Sequence, residues 1–168
     1  YNEVYKAFAN EYGVNIVEGE ADKKSLKIKQ ASESLGYYND YYLIFFKSYK
    51  QEAYALDALG NGDISGIEQN ANSLVEVSVE GIEKARVSQG FHGDNSLKYG
   101  TQEVLAFYKN EGEKDFKVIT DFHIKKSNFE RLQKVIDSKS KKDKTQQDLD
   151  QYNKAVAEYN EAINQYNQ

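Results

Sequence analysis

Between Leu35 and Leu59 large apolar side chains return every three or four positions, at Leu35, Tyr38, Tyr42, Phe45, Tyr49, Leu56 and Leu59, with Glu52 the one charged member of the series. That spacing holds one stripe on one side of an α-helix, because about 3.6 residues complete a turn. Leu43, Phe46 and Ala53 widen the stripe, and a wide stripe suits a helix with two neighbours better than a lone coiled-coil strand. The chain contains no Pro, so no residue removes a backbone donor from the middle of a helix. These features together predict an all-α fold.

The other segments repeat the pattern. The first long helix is expected to begin near Asp22, a capping residue, and to end at the turn Gly60, Asn61, Gly62, Asp63, where Asp63 caps the next helix. Ile64, Ile67, Ala71, Leu74, Ser78, Gly81 and Ala85 form the second stripe, with Val75 and Ile82 beside it. A second break falls at Gly90, Phe91, His92, Gly93 and Asp94, with Asp94 as its cap, and a third helix follows through Leu97, Val104, Leu105, Tyr108, Phe116, Ile119 and Phe122. Ser127 and Glu130 have capping-box spacing, which predicts a kink or break near Lys126. The polar stretch 137–148 reads as the third connection. The last helix carries Leu149, Tyr152, Val156, Tyr159, Ile163 and Tyr166 in heptads.

The length of 168 residues suits one domain. The expectation is an antiparallel up-down four-helix bundle with long helices over residues 22–168, its third helix kinked or broken, preceded by a loosely docked N-terminal arm over 1–21. With no Met or Trp but 14 Tyr and 8 Phe, aromatic rings must supply much of the core, and tyrosine hydroxyls pull such seams toward the surface.

Catalytic and metal options are few. The absence of Cys excludes disulfides, zinc-thiolate sites and thiol nucleophiles. The two histidines lack the Glu-x-x-His spacing of di-iron bundles, since Gln89 precedes His92 and Thr120 precedes His123 by three. Two Glu-x-x-Glu pairs, Glu80 with Glu83 and Glu158 with Glu161, have the spacing that magnesium-dependent helical hydrolases use. Both fall off the apolar stripes, as surface acids do. No catalytic residue, metal or cofactor is therefore assigned. Three mid-helix glycines stand out, because each costs about 0.5 to 1 kcal/mol relative to Ala. In an up-down arrangement Gly36, Gly81 and Gly100 fall at similar heights and can make room for Tyr37, Tyr38, Tyr41, Tyr42, Tyr159 and Tyr166. The candidate ligand pocket is accordingly Gly36, Tyr38, Tyr42, Gly81, Gly100, Tyr159 and Tyr166, against the plainer alternative of rings packed on backbone.

A net charge of -5, from 22 basic and 27 acidic residues, argues against nucleic acid as partner. The lysines at 139, 141, 142 and 144 are interrupted by Asp143 and read as a solvated turn. No apolar run approaches the roughly 20 residues of a membrane span. The chain opens at Tyr1 without Met, as a processed or trimmed product would.

The stretch FHGDNSLKYG, Phe91 to Gly100, followed by EVLAFYKNE, Glu103 to Glu111, and then Phe116, Ile119 and Phe122, resembles a family of leptospiral-type surface lipoproteins, also seen in Bacteroidetes. The resemblance implies export, an N-terminal lipid anchor upstream of Tyr1 and a helical bundle displayed at the cell envelope. It supplies no catalytic residues. The expected function is thus that of an exported, envelope-associated protein, not an enzyme, working by binding or structural display toward a protein or small-molecule partner. A small-ligand carrier with a Tyr-lined pocket, or a magnesium-dependent helical-bundle hydrolase, are the alternatives.

Overall fold

The computed structural model describes residues 2–15 and 23–167. Among them the fold is all-helical, without strands: α1 Asn2–Tyr12, α2 Lys23–Gly60, α3 Ile64–Val87, α4 Ser96–Asn110, a π-helical turn Glu111–Asp115, α5 Phe116–Ser138 and α6 Gln146–Tyr166. The chain divides into two compact units, Tyr1–Tyr37 and Tyr38–Gln168.

In the first unit, α1 is a regular three-turn helix within the stretch that the sequence suggested as an N-terminal arm. Gly13, at φ 63°, ends it by a left-handed step, and the Val14 N–H reaches the Ala9 carbonyl at 2.9 Å. Phe8 and Tyr12 meet one turn apart, their ring centroids 4.6 Å from each other and their planes tilted by 33°. The expected boundary at 21/22 and the cap at Asp22 lie outside the described residues.

In the second unit α2 and α3 run in opposite directions, with Ser48 against Ser78 and Tyr41 against Ser88, and so do α3 and α4, with Gly81 beside Leu105 and Gly112 beside Val75. The turn after α2 forms as its residues dictate: Gly62 takes φ 68°, and Asp63 caps α3 by accepting from the Gly66 N–H at 3.0 Å. Along the α2–α3 seam Ser48 meets Ser78, while Ala55 and Ala58 join Ile67, Ala71 and Leu74 in the core. Every residue of the α3 stripe from Ile67 to Ala85 is buried, as its spacing predicts.

The α2 stripe is a correction. Tyr41, Ser48, Ala55 and Ala58 are the buried residues of this helix, whereas Leu35, Tyr38, Tyr42, Tyr49 and Leu56 are exposed. The helix is apolar on more than one side, so periodicity alone did not choose the packed face. Small side chains at 48, 55 and 58 let α3 approach closely, and close packing decided it.

A second correction concerns the third helix. The chain is continuously helical from Ser96 to Ser138, through Lys126, and its irregularity is the π-helical turn at Glu111–Asp115. There the Phe116 N–H bonds the Glu111 carbonyl five residues back. Gly112 sits so near α3 that a Cβ would lie 2.7 Å from Val75 Cγ2 and 3.0 Å from the Ala71 carbonyl oxygen. The close approach to α3 therefore sits at the irregularity.

α5 and α6 form a hairpin. Phe122 stacks on Tyr166 at 4.6 Å and Phe129 on Tyr159 at 5.2 Å. Their connection is tied by a capping box between Thr145 and Asp148, and Lys139 donates to both Asp148 oxygens at 2.7 Å.

Candidate functional site

Aromatic side chains at i, i+3 and i, i+4 positions meet along a helix, and on α2 they produce a continuous row. Tyr38 to Tyr42 are 5.9 Å apart between ring centroids, Tyr42 to Phe46 5.6 Å and Phe46 to Tyr49 6.2 Å. Phe45 bridges this row to the interior, 6.1 Å from Tyr49 and 6.2 Å from Tyr108 of α4. Between the row and α4 lies a groove of about 650 Å³, walled by Tyr38, Tyr42 and Phe45 on one side and Leu97, Gly100 and Val104 on the other. At its upper end the Tyr41 hydroxyl bonds the Ser88 hydroxyl, which itself donates to the Ala85 carbonyl at 2.8 Å. That contact fixes the end of α3 against α2.

Beyond Phe45 and Tyr108 the surroundings turn acidic. Burial first, and then the neighbouring Glu52 carboxylate that accepts from it, push the Tyr108 hydroxyl up to about 12. Glu111, on the first residue of the π-helical turn, has one carboxyl oxygen buried without a hydrogen-bond partner. Desolvation raises its pKa, with repulsion from Glu52 and Asp115 adding to it. A carboxyl in this position gives up its proton less readily than a free one.

The sequence-derived pocket residues separate into different places. Tyr38, Tyr42 and Gly100 share the groove. Gly81 is buried in the contact of α3 with α2 and α4, where a Cβ would lie 2.9 Å from both Ile44 Cγ2 and Leu105 Cδ1. It makes room for aliphatic side chains, not for tyrosines. Gly36 belongs to the first unit, and a Cβ there, as at Gly100, would meet nothing within 4 Å. Tyr159 and Tyr166 pack on Phe129 and Phe122 in the α5–α6 hairpin. The single-level pocket is thus corrected to a groove between α2 and α4, because Gly81 is consumed by helix packing and the α6 rings by the hairpin.

The other candidates have ordinary surroundings. Glu80 pairs with Lys84, Glu83 with Arg86 through two bonds of 2.7 and 2.8 Å, and Glu158 with Lys154 at 3.8 Å. Among the described residues no three His, Asp or Glu side chains gather as metal ligands. His92 stands at φ 50° in the α3–α4 turn, edge-on to Phe91, and His123 is edge-on to Phe122. A second groove, of about 780 Å³ between α3 and α5, is lined by mixed charges including Glu68, Glu113, Lys117 and Asp121.

Sequence reasoning missed the cluster of Glu52, Tyr108 and Glu111. One signal was present: Glu52 is the charged residue in an otherwise apolar series, and such a position asks for a polar partner across the seam. No protein-family model, curated protein or solved structure matches the chain.

Proposed function

We propose that this chain is an exported, envelope-associated helical protein that works by binding or structural display, without turnover, and that its working surface is the aromatic face between α2 and α4. The observation that carries the reading is the exposed row Tyr38, Tyr42, Phe46 and Tyr49 beside an apolar groove. Contiguous exposed aromatic surface mostly marks an interaction site, since rings left in water forgo the free energy of burial. Export and a lipid anchor are supported by the resemblance of Phe91 to Gly100 to the surface lipoproteins. An up-down four-helix arrangement of α2, α3, the α4–α5 rod and α6 is supported by the antiparallel order of successive helices.

A second reading, a carrier of a small apolar ligand, is favoured by the groove's volume of about 650 Å³, which lies within the usual range for ligand pockets. One experiment addresses both. A photo-crosslinking benzoylphenylalanine replaces Tyr42 in cells that make the protein, and another replaces Glu158 as control. The binding reading expects a discrete protein adduct from position 42 that position 158 does not give. A carrier gives a small-molecule adduct in its place, and no adduct at all contradicts the proposal.

A further inference from the structure

The face just described has a regularity that narrows its occupant. Tyr38, Tyr42, Phe46, Tyr49, Ala53 and Leu56 follow one another by four, four, three, four and three residues and include no charge. This is the spacing of a helix–helix seam, and it runs on the order of 27 Å along α2. The packing of α3 does not use it, since α3 covers Tyr41, Ser48, Ala55 and Ala58.

We infer that the occupant is a second copy of this chain: two α2 helices pack antiparallel through this seam, about a two-fold axis between Phe46 and Tyr49. The inference rests on the reading of this face as a docking surface and names its partner.

Three observations favour a second copy. The first is area. An aromatic side chain offers about 150 to 250 Å², and Tyr38, Tyr42, Phe46, Tyr49 and Leu56 are each about two-fifths to one-half exposed. The seam therefore presents on the order of 500 Å² per copy, so a pair buries about 1,000 Å², where specific interfaces begin. Val104 and Phe107 of α4, both exposed, extend the apolar surface.

The second is self-complementarity. With the axis between Phe46 and Tyr49, Phe46 of one copy meets Tyr49 of the other, Tyr42 falls opposite Ala53 and Tyr38 opposite Leu56. Large rings then face smaller side chains at both ends. A parallel pair sets Tyr42 against Tyr42 and Ala53 against Ala53, with crowding at one level and a gap at another. The antiparallel pair is isologous, so every contact occurs twice.

The third is shape. A small ligand is bound when most of its surface is enclosed, whereas Tyr38, Tyr42, Phe46, Tyr49 and Leu56 stay exposed along one helix face, which a second helix covers along its length. Asn39, beside the seam, also falls opposite Asp57 of the second copy, which places an amide donor near a carboxylate.

The test uses the whole purified chain in sedimentation equilibrium. The expected mass is twice the 19.2 kDa of one chain, with Tyr42→Glu weakening association more than about tenfold while helical content by circular dichroism is unchanged. Joining Tyr42→Glu with Ala53→Lys restores the dimer, because the two positions face each other across the axis. Absence of native Cys makes orientation readable: a mixture of Tyr38→Cys and Leu56→Cys chains forms a mixed disulfide, and Tyr38→Cys alone does not link to itself. A chain that stays at monomer mass to millimolar concentration, a dimer indifferent to Tyr42→Glu, failure of the rescue, or efficient self-linking at position 38 overturns the inference. A monomer whose position 42 still crosslinks a different protein in cells overturns the second copy and leaves the docking surface standing. A monomer with no adduct overturns both.

Discussion

Ser48 of α2 and Ser78 of α3 share a hydrogen bond of 2.9 Å in a place where both residues have no exposed surface. Two hydroxyls in an apolar seam satisfy each other, so removing one leaves its partner desolvated. Ser48→Ala and Ser78→Ala are each expected to lower unfolding free energy by about 1 to 2 kcal/mol. The double variant is expected to lose scarcely more than one single, giving a coupling energy of about 1 kcal/mol in a denaturation cycle. Strict additivity contradicts the pairing.

Glycine substitutions separate packing from exposure. Gly81→Ala drives a methyl against Ile44 and Leu105 at 2.9 Å and is expected to cost about 1 to 3 kcal/mol. Gly100→Ala meets nothing within 4 Å and is expected to stabilise by about 0.5 to 1 kcal/mol, through the helix preference of Ala. Opposite signs in thermal unfolding are the outcome to look for; equal signs contradict the placement of Gly81 in the helix contact.

The raised pKa of Glu111 makes stability depend on pH in a defined direction. Its folded pKa lies above the ordinary 4.5, so the folded state holds the proton more tightly. The contribution is complete below that ordinary value and is lost as pH rises through the folded pKa. Glu111→Gln, which keeps the shape without the charge, is expected to raise stability at pH 7 and to change it little at pH 4. Urea midpoints at the two pH values decide it, and a loss at pH 7 contradicts the account.

At the α5–α6 turn the sign is reversed. The Lys139 ammonium and the Thr145 backbone and hydroxyl hold Asp148 down at about 2, below its ordinary 3.8. Its contribution is present above the ordinary value and is lost as pH falls toward about 2. Asp148→Asn is expected to lower the melting temperature at pH 7 and to flatten its acid dependence, and proteolysis at 139–145 is expected to rise. An acid dependence identical to the parent contradicts the assignment.

How far the fold was readable from sequence varies by helix, and the reasons are physical. The α3 stripe Ile67, Ala71, Leu74, Ser78, Gly81 and Ala85 was read correctly because Glu68, Glu76, Glu80, Glu83 and Lys84 fall on the opposite side of the helix and leave one continuous uncharged stripe. On α2 two apolar stripes compete, and the smaller residues Ser48, Ala55 and Ala58 won the interior, since they allow the closest helix approach. The capping pattern at Ser127 and Glu130 gave a false break, because continuous α5 packing against α6 outweighed a local preference. The π-helical turn carries no Pro and little sequence warning beyond Gly112. Of the candidate site, Tyr38, Tyr42 and Gly100 were legible as aromatic and small residues on facing helices; the contribution of Glu52, Tyr108 and Glu111 emerged only when α2 and α4 were brought together.

The central claim, that the aromatic face of α2 is a docking surface, has an internal control on the same helix. Tyr42, Tyr49 and Tyr54 are nearly equally exposed in the single chain, at 42, 45 and 48 %. Tyr54 lies on another side of α2, five residues and about 140° beyond Tyr49. Hydroxyl-radical footprinting of the protein in its native cells, compared with dilute purified chain, reads their occupancy directly. The account predicts that Tyr42 and Tyr49 become protected in cells while Tyr54 reacts as it does in dilute solution. Equal reactivity of all three tyrosines in both settings contradicts it.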